Sequence, residues 1–241
     1  MKYPLHSLEK FVAPDCSSCP RAKTGTLSSC QNENLALLSG SKISQRYRKG
    51  QIIYAQGSPC QGLHCIYQGK VKITKVAGDG KEQIIRLSTS GDIIGVCTLL
   101  SETAYMTSAV ALEDCVVCLL PRQDVLALIQ SNPQVAGALM KQLSQALNSS
   151  DERVLTMAYK PVRERLAESL LLLQDTYRES DGEEFTIAIS REDLASLVGT
   201  AKETTSRLVS ELKEAGIIAA KGSNITILQT EKLMEISTQY D

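Results

Sequence analysis

The pattern of apolar and polar residues changes once along the chain, near Pro121. Before it, from Arg46 to Leu120, short β-type runs are separated by glycines. The run Lys70–Val76 alternates polar and apolar residues, which is typical of a strand with one solvent-exposed face. Ala77–Gly80 then supplies a turn, and Gln83–Leu87 returns as the partner strand. Because glycines recur at intervals of about one strand and one turn, the pattern predicts a jelly roll or barrel.

After Pro121 the periodicity becomes helical. Asn132 and Pro133 form a typical helix start, and Pro161 ends or kinks the segment. Between them lies a heptad seam of apolar and small residues, namely Ala136, Leu139, Leu143, Ala146, Ser150, Val154 and Met157. This seam packs either on the protein's own barrel or on the same helix of a second copy. We predict a homodimer, because a long helix between two domains has little local core to cover.

The segment 190–228 has the pattern of a helix-turn-helix followed by a β-hairpin. Ser190 precedes acidic residues and caps a helix over Arg191–Val198. Gly199 allows a tight turn, and a second helix is predicted over about Ala201–Ala215. Isoleucines on both sides of a later Gly-Ser turn predict a hairpin wing.

The second helix of this motif has one apolar side and one polar side. The apolar side comprises Ala201, Thr205, Leu208, Val209 and Leu212. Glu203 and Arg207 lie four residues apart on the polar side. One interpretation is that they form a salt bridge on the protein surface and have no further role. In a helix-turn-helix, however, this part of the helix enters the major groove, where arginine binds guanine with two donors and glutamate accepts a hydrogen bond from cytosine. The predicted DNA contacts are Lys202, Glu203, Ser206 and Arg207, with Lys221 at the edge of the wing as a phosphate contact.

These patterns predict an α+β chain with four parts. Residues 1–40 form a cysteine-bearing N-terminal segment, 41–130 a β jelly-roll sensor domain, 131–160 a dimerisation helix and 161–241 a winged helix-turn-helix domain that binds DNA. Runs of strands followed by runs of helices favour separate domains over one mixed domain.

Composition limits the function classes. The chain has 241 residues, 43% of them hydrophobic, which is enough to bury a core without disulfides or metals. No apolar run approaches the roughly 18 residues of a membrane span, and Glu9 and Lys10 stand where a signal peptide is apolar. We therefore expect a soluble, cytoplasmic protein. Its formal net charge of −1 provides no overall attraction to DNA phosphates. DNA binding must therefore depend on particular residues at one place on the surface.

Several motifs give the chain, from about residue 41 to its end, a resemblance to a known family. They are Arg191–Ala195, Val198–Gly199 and Glu203–Arg207, supported by Gly69–Val71 and Gly91–Gly95 in the barrel. The sequence resembles the bacterial transcription regulators of the cyclic-AMP receptor and fumarate-nitrate reduction regulator (CRP/FNR) superfamily. This resemblance implies a cyclic-nucleotide-binding-type jelly roll, a long dimer helix, a winged helix-turn-helix, RNA polymerase as a further partner, and no enzymatic activity.

The resemblance is closer to the oxygen-sensing, FNR-like branch. In that branch a recognition helix of the form E-x-x-S-R reads a TTGA-type half-site of a palindromic operator in double-stranded DNA. Glu203, Ser206 and Arg207 fill those positions. The cyclic-AMP branch has arginine where this chain has Lys202.

The positions that bind cyclic AMP in other members have changed. Those members carry a glutamate for the ribose and an arginine for the phosphate, and this chain has Val96 and Met106 in their places. A buried phosphate without a cation is costly to desolvate. We therefore do not expect cyclic AMP to be the effector.

The eight cysteines offer another sensing chemistry. Cys16 and Cys19 form a C-x-x-C pair suited to one soft metal site, and Cys30 follows. Cys118 lies in a stretch that resembles the one holding the distant fourth cluster ligand in the oxygen-sensing branch, while Cys115 would face the other side of the strand. The candidate ligands of a [4Fe-4S] cluster are therefore Cys16, Cys19, Cys30 and Cys118.

Several alternatives stay open. The same cysteines could hold a structural zinc, form a thiol redox switch or have no sensory role, because Cys19 and Cys30 are farther apart than the corresponding pair in that branch. Cys60, Cys65 and Cys97 are interpreted as small buried apolar residues. A signalling module without DNA binding would leave the helix-turn-helix without a purpose. A thiol redox protein would need a βαβ pattern, which is missing around the C-x-x-C pair.

Overall fold

A computed structural model describes residues 14–24, 26–30, 32–177 and 185–238. The signal-peptide argument on Glu9 and Lys10 concerns residues outside these ranges. In the ranges described, no helix has the length and apolarity needed to cross a membrane. The chain divides into two compact units. The first comprises residues up to Val71 and Ser90–Leu143, and the second comprises Lys72–Thr89 and residues from Ser144 onward.

Strands dominate the first half of the chain and helices the second. The strands are β1 (Ile43–Tyr47), β2 (Ile52–Tyr54), β3 (Gly62–Gln68), β4 (Val71–Val76), β5 (Glu82–Ser88), β6 (Ile93–Ile94), β7 (Ser108–Ala111), β8 (Cys115–Pro121), β9 (Thr186–Ala188), β10 (Ile218–Lys221) and β11 (Asn224–Ile227). The helices are α1 (Pro20–Thr24), α2 (Asn32–Ser41), α3 (Val96–Ser101), α4 (Arg122–Ser131), α5 (Pro133–Tyr159), α6 (Val162–Tyr177), α7 (Arg191–Val198), α8 (Lys202–Glu214) and α9 (Thr230–Ser237).

A four-stranded antiparallel sheet lies at the centre of the first unit, in the order β1-β8-β3-β6. Because β8 lies between β1 and β3, its register places Cys118 opposite Ser44 on one side and opposite Cys65 on the other. β2 pairs with β7. The core of this unit includes Leu35, Leu38, Leu63, Ile93, Leu99, Leu120, Val125, Leu128, Val135 and Leu139.

The second unit packs a hairpin and a winged helix-turn-helix around a separate core. β4 and β5 are neighbours, and the turn between them contains Gly80 at φ +82°. α7 and α8 form the helix-turn-helix, and β10 and β11 form the wing, to which β9 adds a third strand. The core includes Ile84, Leu166, Leu170, Leu173, Ile187, Leu194, Leu197, Leu208, Val209, Leu212, Ile218, Ile225 and Leu233.

The structure confirms the predicted fold class, with a jelly-roll-type β domain, a long helix and a winged helix-turn-helix. The predicted alternating strand and its partner are β4 and β5. The sequence pattern did not predict α2, α4, α9 or β9. In the case of α4 the reason is plain, because Pro121 precedes the helix and no side chain caps its start. The predicted domain boundaries stay a prediction.

The long helix α5 starts where the sequence predicts. Asn132 Oδ1 accepts hydrogen bonds from the backbone N–H groups of Gln134 and Val135, at 3.1 and 3.2 Å. These bonds satisfy two of the donors that a helix start leaves free. The helix ends at Tyr159, just before Pro161.

The predicted seam on α5 is only partly free. Leu139 is buried and Leu143 half-buried in the core of the first unit, so the start of the seam packs on the protein's own domain. Of the later seam residues, Val154 is 64% exposed. Met140 and Leu147, which the predicted seam did not include, precede it at seven-residue intervals and are 63% and 62% exposed. An uncovered heptad stripe therefore remains on α5.

Candidate functional site

Local interactions fix both ends of the first helix of the helix-turn-helix. Ser190 Oγ accepts a hydrogen bond from the Asp193 backbone N–H at 2.9 Å and donates one to Asp193 Oδ2 at 2.7 Å, which caps α7 as predicted. α7 ends at Gly199, whose φ of +74° lies in the left-handed region. A Cβ atom there would lie 2.8 Å from Met157 Sδ. The turn therefore favours glycine on both counts.

The second helix, α8, has one buried and one exposed side, as the sequence predicts. Its buried side chains are Thr205, Leu208, Val209 and Leu212. Ala201, which the pattern placed on this side, is instead exposed at the helix start and accepts a hydrogen bond from Thr205 Oγ1 at 3.2 Å. Glu203 and Arg207 are exposed, and Ser206 is half-buried. A helix held by its apolar side thus presents these polar groups outward.

Ion pairs hold two of the predicted DNA contacts. Lys202 Nζ lies 2.6 Å from Glu192 Oε1, and Arg207 Nη1 lies 2.5 Å from Glu211 Oε1. The salt bridge considered between Glu203 and Arg207 is thus replaced by one with Glu211, a turn further along. Because the paired side chains are 42% to 74% exposed, these pairs contribute little to stability and open readily for a competing phosphate or base.

The remaining predicted contact lies in the wing. Lys221 is the last residue of β10, is exposed and pairs in register with Asn224 across the turn. A phosphate contact requires such a solvent-accessible cation. The assignment of Lys202, Glu203, Ser206, Arg207 and Lys221 to DNA stays a prediction.

The β4–β5 hairpin contacts the first helix of the helix-turn-helix, which the sequence did not predict. Lys72 Nζ lies 2.7 Å from Asp193 Oδ1 and 2.6 Å from Glu82 Oε1. Ser196 Oγ donates to Glu82 O at 2.8 Å and accepts from the Ile84 backbone N–H at 2.9 Å. Burial lowers the pKa of Lys72, but its hydrogen bonds to both carboxylates outweigh that effect, and the pKa is raised overall.

A single arginine on α5 joins the same elements. Arg153 Nη2 donates hydrogen bonds of 2.7 Å to Ile84 O in β5 and to Leu197 O in α7. Its side chain is half-buried between these acceptors. Sequence reasoning missed Arg153 because a charge beside a heptad seam is typical of a solvated helix face.

Aromatic side chains fill part of the interior of the β domain. The rings of Tyr54 and Tyr105 stack with their centroids 4.0 Å apart, and the His64 ring lies 5.2 Å from that of Tyr54. Tyr105 donates a hydrogen bond to Gly62 O at 3.2 Å. Among the described residues, His64 Nδ1 has no hydrogen-bond partner, and burial lowers the pKa of this histidine to about 4.

The two positions compared with cyclic-AMP binders offer no charge. Val96 is 5% exposed at the start of α3, and Met106 is 59% exposed. Neither side chain can pair with a ribose hydroxyl or a phosphate. The structure thus provides neither of the two contacts that the resemblance associates with cyclic AMP.

Four cysteines line one cavity in the first unit, which has a volume of about 40 Å³. They are Cys16, Cys19, Cys65 and Cys118. Most other lining residues are apolar, and the cationic residues Arg21 and Lys42 also line the cavity. Cys118 Sγ lies 3.4 Å from Ser44 Oγ. Three of the four predicted ligands therefore meet at one place.

Two further cysteines lie away from this cavity. Cys30 is buried in the same core without lining the cavity, and burial, with the nearby Cys16 thiol, raises the pKa of Cys30 to about 11. Cys115 faces elsewhere, as expected for its place on the strand. Its Sγ lies 3.2 Å from Lys70 O and 3.1 Å from Glu113 O, so either carbonyl can accept its single S–H hydrogen bond.

The interpretation of the remaining cysteines as buried apolar residues is wrong in part. Cys97 is exposed, and Cys60 and Cys65 are half-buried. Cys65 lines the cavity, and sequence reasoning missed it because a single cysteine in a strand has no motif. The signal that could have found it is the pairing of its strand with the one that carries Cys118.

The donor set in the cavity fits a soft metal centre by its chemistry. Among the residues that the structure describes, no three His, Cys, Asp or Glu side chains lie close enough together to bind one metal ion. Thiolates are the ligands of iron-sulfur clusters, and the cavity brings four thiols to one lining.

Known proteins share both the β domain and the helix-turn-helix with this chain. A cyclic nucleotide-binding domain matches residues 44–132, and a Crp-like helix-turn-helix domain matches residues 164–236. The cyclic AMP receptor protein of Thermus thermophilus is 33% identical over 191 residues, which are 79% of this chain and 86% of that protein. The chain belongs to the CRP/FNR superfamily.

Within the CRP/FNR superfamily, the similarities confirm the predicted closeness to the FNR-like branch. The transcriptional activator protein anr of Pseudomonas aeruginosa is 27% identical over 235 residues, covering 97% of this chain and 95% of that protein. The solved structure of FixK2 from Bradyrhizobium japonicum is 27% identical, covers 81% of this chain and 96% of that one, and has a TM-score of 0.72. This CRP/FNR member is a transcription regulator with a helix-turn-helix DNA-binding domain.

Proposed function

We propose that this protein is a homodimeric regulator that binds a palindromic operator with TTGA-type half-sites. The observation that carries the proposal is the two-sided α8 helix. Its buried side fixes the helix, while Glu203, Ser206 and Arg207 lie toward solvent in its first half. In a helix-turn-helix, that half of the second helix enters the major groove.

The side chains of α8 match the edges of a guanine-cytosine pair. Once Arg207 leaves Glu211, its guanidinium donates two hydrogen bonds to O6 and N7 of guanine. Leaving costs little because the ion pair is exposed. Glu203 accepts a hydrogen bond from cytosine N4. Lys202 and Lys221 bind phosphates and raise the affinity for every sequence alike.

The homodimer forms through α5. Met140, Leu147 and Val154 make an exposed apolar stripe with a seven-residue repeat. Two such stripes bury each other when the helices pair as a coiled coil. The two-fold symmetry of the pair matches that of a palindrome, with half-sites about one turn of DNA apart.

The effector acts at the cysteine cavity and is not cyclic AMP. Cys16, Cys19 and Cys118 belong to the predicted ligand set and line the cavity, where they hold a [4Fe-4S] cluster. When bound, such a cluster supplies a centre whose ligation responds to oxygen or to redox potential. The chain supplies the thiolates, and its apolar lining limits access of water to them.

The signal changes DNA affinity by a population shift. It stabilises one arrangement of the paired α5 helices over another, and the arrangement with the higher operator affinity gains population. No new contact with DNA is needed for this change. RNA polymerase is the further partner, as the family resemblance implies.

The experiment uses full-length protein purified without air. Its binding to a duplex with two TTGA-type half-sites is compared, at one salt concentration, with binding to a duplex with scrambled half-sites. We expect two chains on the palindrome, weaker binding to the scrambled duplex, a change on exposure to air, and no effect of millimolar cyclic AMP. Equal binding to both duplexes contradicts the proposed operator. Tighter binding at micromolar cyclic AMP contradicts the proposed effector.

A further inference from the structure

The cavity contains one cysteine that the predicted ligand set does not include. Cys65 in β3 lines it, and so does Cys118 in β8, which is directly opposite in the antiparallel pairing. Directly opposite residues have Cβ atoms about 4.5–5.5 Å apart on the same face of the sheet. The two thiols therefore approach the cavity from neighbouring strands.

The C-x-x-C pair is held beside the same cavity from the N-terminal side. The Cys16 backbone N–H donates to Ser39 Oγ in α2 at 3.1 Å. Lys42 Nζ donates to Pro14 O, which ties the chain before Cys16 to the residue that precedes β1. Two separate hydrogen bonds thus fix the approach of Cys16 and Cys19 to the strands.

Cys30 is set back from this cavity. Its backbone N–H donates to Leu27 O at 2.9 Å and closes the short 3-10 turn Thr26–Ser29. Leu27 is the residue of this turn that lines the cavity. Cys30 is buried in the core beside this turn and does not line the cavity.

The charges around the cavity also suit four thiolates. Iron and sulfide held by four thiolates carry a net negative charge, which is costly to bury without cations. Arg21 and Lys42 both line the cavity. Lys42 Nζ binds the carbonyl of Pro14, which also lines the cavity, so its positive charge lies beside the thiols.

We propose that Cys65, and not Cys30, is the fourth ligand, so that the cluster is held by Cys16, Cys19, Cys65 and Cys118. This inference rests on the proposed cluster. If Cys30 is not a ligand, the long interval between Cys19 and Cys30 does not affect cluster binding. The inference also places two of the four ligands on paired strands of the central sheet.

The test reconstitutes full-length protein with ferrous iron and sulfide in the absence of air. Wild type is compared with Cys65→Ser and Cys30→Ser, and Cys97→Ser is the control because Cys97 is exposed. Bound iron and sulfide per chain and the visible absorption band are measured. We expect Cys65→Ser to lose the band and most of the iron. Cys30→Ser and the control should keep both.

The outcomes separate this inference from the proposal on which it rests. Loss of the cluster in Cys30→Ser with retention in Cys65→Ser overturns the inference and leaves the cluster proposal standing. Wild type that binds no iron and sulfide overturns both, and binding to the palindrome then shows whether the DNA-binding proposal survives alone.

A second measurement covers the case in which Cys65→Ser does not fold. Wild-type protein with and without iron and sulfide is alkylated without air, and each cysteine is followed by peptide mass. The inference requires Cys65 to be protected only in the loaded protein, in parallel with Cys118. Alkylation of Cys65 at the same rate in both forms overturns it.

Discussion

Lys72 Nζ lies 2.7 Å from Asp193 Oδ1, so an ion pair joins the β4–β5 hairpin to the first turn of α7. The two side chains are only 14% and 21% exposed. A hydrogen bond to a charged group contributes about 1.5–3 kcal/mol. We therefore predict that Lys72→Met lowers the free energy of unfolding by roughly 2 kcal/mol, measured by urea titration.

Lys81→Met is the matched control for this prediction. Lys81 also pairs with an aspartate in the hairpin, Asp79, but these side chains are 85% and 53% exposed, so the urea midpoint should not move. Because the folded pKa of Lys72 is raised above its ordinary 10.5, the contribution of its pair is complete below that value and lost as pH rises through the folded pKa. Equal effects of both variants would contradict a buried ion pair.

We predict that Arg207→Ala removes sequence preference as well as affinity. Loss of a bidentate contact costs about 1–3 kcal/mol of discrimination at the guanine it binds. Lys221→Ala should instead weaken binding to all sequences and lower the salt slope by about one unit. Glu203→Ala should relax preference at the cytosine that it contacts.

The measurement is selection from a library with one randomised half-site, using the wild type and the three variants. Glu211→Gln is a further control, because it removes the partner of Arg207 in the free protein without touching the proposed base contacts. If Arg207→Ala lowers affinity uniformly and keeps the preference, Arg207 forms only a surface salt bridge.

Leu147→Glu should separate the two protomers. Leu147 lies in the middle of the exposed stripe of α5, and a charge there would be buried in the paired helices. We expect a monomer by sedimentation and operator binding weaker by about 10²-fold or more, since the second half-site loses its linked partner. Met234→Glu, at an apolar position of α9 that is 52% exposed, should stay dimeric. A dimeric Leu147→Glu variant would place the interface elsewhere.

His64 should make the first unit sensitive to acid. Its folded pKa of about 4 lies below the unfolded value of 6.5, so the unfolded chain binds the extra proton first. Stability is therefore full above pH 6.5 and falls as the pH drops toward 4, by roughly 2 kcal/mol between pH 7.5 and pH 5. The variant His64→Phe keeps an aromatic ring beside Tyr54 but cannot bind the proton. Urea titrations at pH 7.5 and pH 5 should therefore show about 2 kcal/mol less loss of stability in this variant than in the wild type. An unchanged pH dependence would mean that folding does not lower the pKa of His64.

The second unit could be predicted well because its signals are local. The Ser190 cap, the Gly199 turn and the apolar side of α8 each depend on residues a few positions apart. The contact of the hairpin with α7 could not be predicted. Lys72 and Asp193 are 121 residues apart, and either charge alone is typical of a solvated surface.

The cysteine site could be predicted only where a motif marks it. Cys16 and Cys19 are found by their spacing, but Cys65 requires the register of β3 against β8, which a sequence pattern does not contain. The seam of α5 has the same limit. Its period shows that a stripe is apolar, but not that Leu139 and Leu143 pack on the first unit while Val154 stays exposed.

The Arg153 hydrogen bonds at the junction of β5 and α7 tolerate substitution of the residues that accept them. Its guanidinium binds the backbone carbonyls of Ile84 and Leu197, and every amino acid supplies a carbonyl. Substitutions at these two positions therefore leave the acceptors in place, whereas no other side chain has the reach and the paired donors of arginine. As related genes diverge, we expect the arginine to persist while its two partners change identity.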